Sequence, residues 1–185
     1  MNRKMNSVAA VMMGMMTAMS YAGQASTSAH ASNIGGSRGG TAGATANYNG
    51  APGGVALTRT DSHSGKVNHA QGLAIGLDRD GLDLSFSHAI ASKLGPAYAG
   101  TFNMSIGLNG AVSSSYGGVL STGGVARSAE ASGSTRSDPR TATAMAAVSG
   151  NTSHGGRVIA GTNSYSRPAY GVVRAPARSV PRVLR

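Results

Sequence analysis

Large apolar side chains recur at every second position through the middle of the chain. The pattern is carried by Leu73, Ile75, Leu77, Leu82, Leu84, Phe86 and Ile90, and again by Phe102, Met104, Ile106 and Leu108. Alternation with a period of two is typical of antiparallel strands that have one apolar face. The sequence therefore predicts a mainly β fold, with a small antiparallel meander of about four to five strands. A sheet has to cover its apolar face, and a second copy of the chain is one way to do so.

The pair Asp80-Gly81 predicts a two-residue type I′ turn between two of these strands. Such a turn would place Leu77 opposite Leu84 and all the large residues on one face. It would also place Asp78 directly across from Asp83, where the two carboxylates repel each other. Replacement of Asp78 by Asn is then expected to be neutral or slightly stabilising.

A bound cation would also relieve this repulsion, so the turn is a candidate calcium site. Its candidate ligands are Asp78, Asp80 and Asp83. The segment departs from the twelve-residue EF-hand pattern, because its glycine comes fourth and no glutamate precedes Glu130. A hairpin tip without metal is the favoured interpretation.

The apolar pattern fades on both sides of this segment. Leu, Ile, Val and Phe make up 29 of the 185 residues, and 18 of these lie in residues 55–125. Chains so poor in large apolar residues bury little surface against the entropy of ordering, so long disordered flanks are expected. The predicted organisation is a flexible Gly/Ala/Ser/Thr-rich linker over 23–53, a β domain over 54–126, and a basic, Arg/Pro-rich low-complexity tail over 127–185. An N-cap at Asp138, the proline that follows it and a glycine stop also allow a short helix near 139–148.

The N-terminus has the three-part order of a secretory signal. Arg3 and Lys4 precede an apolar run of about twelve residues from Val8 to Met19, and small residues follow. The run is shorter than the roughly 20 residues of a membrane-spanning helix. Residues 1–22 are therefore predicted to be a signal peptide. The mature chain is expected to lack a transmembrane segment and to be secreted, whether it ends extracellular, periplasmic or on the cell surface.

No catalytic signature is present in the sequence. The G-x-S-x-G elbow, the P-loop and the H-E-x-x-H motif are all missing. The chain is therefore predicted not to be an enzyme, and no cofactor is expected. His63, His69 and His88 could meet on a sheet, where a zinc or copper site competes with the favoured interpretation of partly buried, hydrogen-bonded histidines.

Positive charge gathers towards the C-terminus. The formal net charge is +10, and residues 127–185 hold nine arginines against two acidic residues. Guanidinium groups bind phosphate, sulfate and carboxylate, and clustered charge on a flexible chain attracts polyanions. The candidate polyanion-binding residues are Arg157, Arg167, Arg174, Arg178, Arg182 and Arg185. The alternative is a solvated tail that only keeps the protein in solution.

Two functional hypotheses follow from these features. The favoured one is an exported, non-enzymatic structural or interaction protein of the cell envelope, cell surface or extracellular matrix, with self-association through the apolar sheet face. The alternative is a secreted protein that binds acidic polymers or anionic surfaces through its Arg-rich C-terminal tail. Polysaccharide, anionic lipid and nucleic acid are the candidate partners in that case.

Overall fold

The computed structural model describes residues 23–34, 40–169 and 182–184, and these residues form strands joined by turns. The strands are β1 (Gly23–Ile34), β2 (Ala42–Asn49), β3 (Val55–His63), β4 (Val67–Asp78), β5 (Gly81–Ser92), β6 (Ala97–Gly107), β7 (Val112–Thr122), β8 (Ala126–Ser137), β9 (Ala142–Thr152), β10 (Arg157–Arg167) and β11 (Arg182–Leu184). The predicted signal peptide lies outside the described residues. Within those residues, no helix is long and apolar enough to cross a membrane.

The strands form two antiparallel sheets that stack face to face. The smaller sheet has the order β2-β1-β8-β9, and the larger has the order β11-β10-β7-β6-β5-β4-β3. Strand β1 lies over β4 and β5, β8 lies over β5 and β6, and β9 lies over β6, β7 and β10. The fold is therefore a two-layer sandwich in which the smaller sheet covers one face of the larger sheet.

The prediction of a mainly β chain is confirmed, whereas the prediction of a small isolated meander is wrong. Strands β3 to β7 do follow one another as an antiparallel meander, but they belong to a seven-stranded sheet. The segments predicted as linker and tail supply β1, β2, β8, β9 and β10. In β1 and β8 the alternation is between small or polar residues, such as Ala29 and Ala31 inside and Ser28 and His30 outside, so these two strands show no pattern of large apolar side chains.

The predicted helix near 139–148 is also wrong, because β9 occupies Ala142–Thr152. The turn before β9 is closed by Asp138, whose Oδ1 accepts hydrogen bonds from the backbone N–H groups of Arg140 at 2.9 Å and Thr141 at 2.8 Å. An aspartate that closes a turn and an aspartate that caps a helix use the same acceptor geometry. The same sequence signal therefore fits both structures.

The predicted register of the β4–β5 hairpin is shifted by two residues. Leu77 lies opposite Leu82, and Asp78 lies opposite Gly81, so Arg79 and Asp80 form the turn. Asp78 stabilises this turn, since its Oδ1 accepts hydrogen bonds from the backbone N–H groups of Asp80 at 2.8 Å and Gly81 at 3.2 Å. The expected repulsion between facing Asp78 and Asp83 carboxylates is therefore wrong.

The space between the two sheets is lined by small side chains. The buried apolar residues of the described chain are alanines, with the single exception of Val119. Buried serines, threonines, asparagines and aspartates complete the interior. Glycines allow close approach, since a Cβ on Gly76 would lie 1.7 Å from the Tyr48 ring. The face of the seven-stranded sheet that is turned inward is therefore the one with small side chains, apolar and polar together.

Candidate functional site: the outer face of the seven-stranded sheet

The large apolar residues lie on the side of the seven-stranded sheet that points away from the smaller sheet. Cross-strand partners share a face, so the register arranges these residues in rows across the strands. One row is Leu77, Leu82, Ile106 and Val112, and the next contains Ile75, Leu84, Met104 and Tyr165. A third is Leu73, Phe86, Phe102 and Tyr116, and another is Ile90, Tyr98, Leu120 and Ile159. These four rows, together with the row of His88 and Gly100 that lies between the last two, define the outer face.

The outer face is open to solvent in the single chain. Tyr116 is 57% exposed and Phe102 is 43% exposed, whereas their neighbours Ser115 and Asn103 are 1% and 0% exposed. Folded monomers rarely leave a contiguous apolar patch of more than a few hundred Å² uncovered. A surface of this kind is typical of a binding surface.

Three aromatic rings lie close together on the outer face, and two of them lie over a glycine. The His88 ring stacks on Phe86 with centroids 5.5 Å apart, and it lies 5.3 Å from the Tyr98 ring. A Cβ on Gly100 would lie 2.9 Å from both the Tyr98 hydroxyl and His88 Cε1. Since Gly100 has no side chain, the two rings can lie along the sheet.

The imidazole of His88 is part of this apolar surface. Its burial and the nearby charge of His69 lower the pKa of His88 below the usual value of 6.5. Its Nδ1 is buried and has no hydrogen-bond partner within the described chain. His88 is therefore a neutral ring at neutral pH.

The three aspartates of the calcium hypothesis lie at one end of the sandwich in different environments. Asp78 Oδ2 accepts hydrogen bonds from the Tyr48 hydroxyl at 3.0 Å and the Ala51 N–H at 2.9 Å. Asp83 is fully buried, and its Oδ2 accepts a hydrogen bond of 2.6 Å from the Ser137 hydroxyl. Asp80 is also buried, and its Oδ2 has no partner in the described part of the chain.

These environments move the pKa values of two of the carboxyls in opposite directions. Burial raises the pKa of Asp83 above its usual 3.8, and the hydrogen bond from Ser137 offsets only part of this effect. Burial alone would also raise the pKa of Asp78, but its hydrogen bonds from three backbone N–H groups and from Tyr48 lower it overall. Burial and the contact with Asp78 raise the pKa of the Tyr48 hydroxyl well above its usual value.

The structure does not assemble a metal site from the candidate ligands. Across residues 23–34 and 40–169, no three His, Cys, Asp or Glu side chains are arranged to hold a metal ion. His63 does lie opposite His69 on β3 and β4, and His88 lies opposite Gln71 on β5 and β4. The three histidines therefore share the outer face without converging on one point.

The candidate polyanion-binding arginines are also dispersed where the structure describes them. Arg157 and Arg167 stand at opposite ends of β10, ten residues or about 34 Å apart at the usual rise of a strand. Arg182 belongs to β11 and lies opposite Ala160 by backbone pairing. Arg174, Arg178 and Arg185 lie outside the described residues.

The alternating pattern in the sequence predicts the large residues of the outer face. It missed the buried polar contacts beneath them, such as Asn103 with Ser85 and Ser115. The available signal was the regular alternation of Ser, Thr and Asn with the large residues, which identifies a second face but not its burial.

Comparison with known protein families, with characterised proteins and with solved structures gives no match.

Proposed function

We propose that the protein is an exported, non-enzymatic structural or interaction protein that works through its outer face. The observation that carries this proposal is the placement of large apolar side chains outside and small polar ones inside the seven-stranded sheet. The outer face spans five strands, β4, β5, β6, β7 and β10. At about 4.8 Å between strands and about 3.4 Å for each of some eleven residues along a strand, its area is about 900 Å². A surface of that size and composition supports a role in association with another molecule.

The site of action is proposed to be the cell envelope, the cell surface or the extracellular matrix. The basic, apolar and small-residue order of the N-terminus supports export. The formal net charge of +10 would favour retention near the acidic polymers and lipids of such locations.

Polyanion binding through the C-terminal arginines is the second candidate function. It has weaker support, because Arg157 and Arg167 stand at opposite ends of β10 and do not form a cluster. The two proposals make different predictions for a chain that ends after β10. Removal of residues 168–185 takes away four of the six candidate arginines. It should strongly weaken polyanion binding under the second proposal and leave the outer face in place under the first.

Cell fractionation with matched variants tests the favoured proposal. Phe102→Lys places a charge in the middle of the outer face, whereas Met145→Lys places the same charge on the 65% exposed residue of β9, on the opposite side of the sandwich. Wild type, Met145→Lys and the chain without residues 168–185 should be retained in the envelope or matrix fraction, and Phe102→Lys should be released. Equal fractionation of wild type and Phe102→Lys would contradict the proposal.

A further inference from the structure

We propose that the occupant of the outer face is a second copy of the same chain, packed face to face. This inference rests on the proposed function, because it takes the outer face as the working surface and specifies what covers it. The two seven-stranded sheets then form a four-layer assembly with the large apolar residues in the middle. Sheets that pack face to face through large side chains lie about 10 Å apart.

The area of the outer face matches what a stable dimer needs. A standard protein interface buries about 800 Å² on each partner, and the outer face offers about 900 Å² by its strand spacing and length. The face also supplies the residue types that large interfaces favour, since Phe86, Phe102, Tyr98 and Tyr116 lie on it. Within the described residues, one copy alone buries alanines, Val119 and small polar side chains between its sheets, and the larger apolar side chains are not part of that interior.

The charge distribution fits burial of the four central strands of the face, β4 to β7. The outward positions of β4, β5, β6 and β7 contain no Asp, Glu, Lys or Arg. The charged outward residues Arg59, Asp61, Arg157 and Arg167 lie on the flanking strands β3 and β10. Association of two copies therefore buries no unpaired carboxylate, ammonium or guanidinium group in the middle of the interface, which avoids a large desolvation cost.

The shape of the face fits a two-fold arrangement. A two-fold dimer uses the same patch on both copies, with the axis at the centre of that patch. Strand β6 has two strands of the outer face on either side, and Phe102 lies near its middle. The Tyr98 ring lies along the sheet beside it because Gly100 has no side chain. The proposal therefore places Phe102 of the two copies close to each other at the axis.

Sedimentation equilibrium of the mature protein tests this dimer with the same matched pair of variants. Wild type and Met145→Lys should have twice the mass of one chain. Phe102→Lys should raise the dissociation constant by roughly 30-fold or more, because truncation or charging of a central aromatic residue usually has a large effect. Far-UV circular dichroism checks that Phe102→Lys retains its β structure.

Cysteine cross-linking gives an independent test that does not depend on a destabilising charge. The chain has no cysteine, so single variants have no background. The facing sheets lie about 10 Å apart, which is too far for a direct disulfide, so the reagent is a bifunctional maleimide that spans about 10 Å. With this reagent, Phe102→Cys should form a cross-linked dimer, and Met145→Cys should remain a single chain. Absence of the Phe102→Cys product, in a protein that is folded by circular dichroism, would overturn the two-fold arrangement.

Vesicle binding separates failure of the dimer from failure of the proposed function. The probe is a vesicle of phosphatidylglycerol and phosphatidylcholine. A monomeric wild type that binds these vesicles, with binding lost in Phe102→Lys and kept in Met145→Lys, would overturn the dimer and leave the outer face as a lipid-binding surface. A Phe102→Lys variant that matches wild type in mass, vesicle binding and cell fractionation would overturn both proposals.

Discussion

Asn103 of β6 and Gly133 of β8 meet at the centre of the sandwich, and their contact makes the stacking of the two sheets measurable. Asn103 is fully buried, and its Oδ1 accepts a hydrogen bond of 2.6 Å from the Ser85 hydroxyl. Its Nδ2 donates to the hydroxyls of Thr101 at 3.2 Å and Ser115 at 3.3 Å. A Cβ on Gly133 would lie 1.8 Å from Asn103 Oδ1, so Gly133→Ala has to displace the amide or separate the sheets.

The expected free energies of unfolding follow from these contacts. Asn103→Ala removes three buried hydrogen bonds, which contribute about 1 kcal/mol each, so it should destabilise by about 3 kcal/mol. Gly133→Ala overpacks the interior and should cost roughly 2–3 kcal/mol. In the double variant the new methyl group occupies space that the amide has left. Its total cost should therefore be about 3 kcal/mol, which corresponds to a coupling energy of roughly 2–3 kcal/mol.

Urea unfolding followed by far-UV circular dichroism measures this cycle on wild type, both single variants and the double variant. Gly118→Ala is a matched control, because a Cβ there would lie 3.7 Å from its nearest neighbour, an ordinary contact. This control should remain close to wild type in stability. Independent sites add to within about 0.5 kcal/mol, so an additive double variant would show that Asn103 and Gly133 do not meet and would refute the stacking.

The remaining predictions concern three aspartates. Burial raises the pKa of Asp83, so the ionised carboxylate destabilises the folded protein. Asp83→Asn should therefore stabilise the protein at neutral pH. The gain should shrink as the pH falls through the folded-state pKa and vanish below 3.8. Burial alone would also raise the pKa of Asp78, but its hydrogen bonds lower it overall. Asp78→Asn should therefore destabilise the protein at neutral pH, by an amount that shrinks as the pH falls below 3.8. Urea unfolding at several pH values measures both variants. A change of the free energy of unfolding in the same direction for both at neutral pH would contradict this pair of predictions. Asp138→Ala should cost about 1 kcal/mol because it opens the β8–β9 turn, whereas Asp138→Asn keeps an acceptor oxygen and should cost much less; thermal unfolding that gives equal losses would count against this role.

The partition of residues between the two faces of the strands could be predicted from the sequence. Alternation through β4 and β5 places Leu77 and Leu82 on one face, and this remains true although the predicted turn was misplaced. A register error of two residues keeps every side chain on its face, whereas an error of one would exchange the faces. The Asp80-Gly81 pair predicts a type I′ turn at those two residues. It gives no sign that the Asp78 side chain accepts a hydrogen bond from the Asp80 N–H and so stabilises a turn one residue earlier.

The burial of the small face could not be predicted, because the strands β1 and β8 that cover much of it contain almost no large apolar residue. Hydrophobic patterning identifies an interior by its large side chains, and β1 and β8 supply alanines and hydroxyls instead. The hydroxyl of Thr27 on β1 forms hydrogen bonds with those of Ser85 at 2.8 Å and Ser87 at 2.7 Å on β5. Such contacts between distant segments satisfy buried polar groups, but they have no local signature in the sequence.

The central claim is that the large apolar side chains of the seven-stranded sheet lie on its outer face and the small ones lie between the sheets. Thiol labelling of two neighbouring positions on β7 tests it most directly. Tyr116 is 57% exposed on the outer face, and Ser115 is 1% exposed between the sheets. Single-cysteine variants Tyr116→Cys and Ser115→Cys are made in the Phe102→Lys chain, so that a second copy does not cover the outer face, and each folded protein is reacted with a maleimide. The structure predicts rapid labelling of Tyr116→Cys and protection of Ser115→Cys until the chain unfolds. Rapid labelling of Ser115→Cys with protection of Tyr116→Cys would show that the large apolar face is the interior, and would contradict the account.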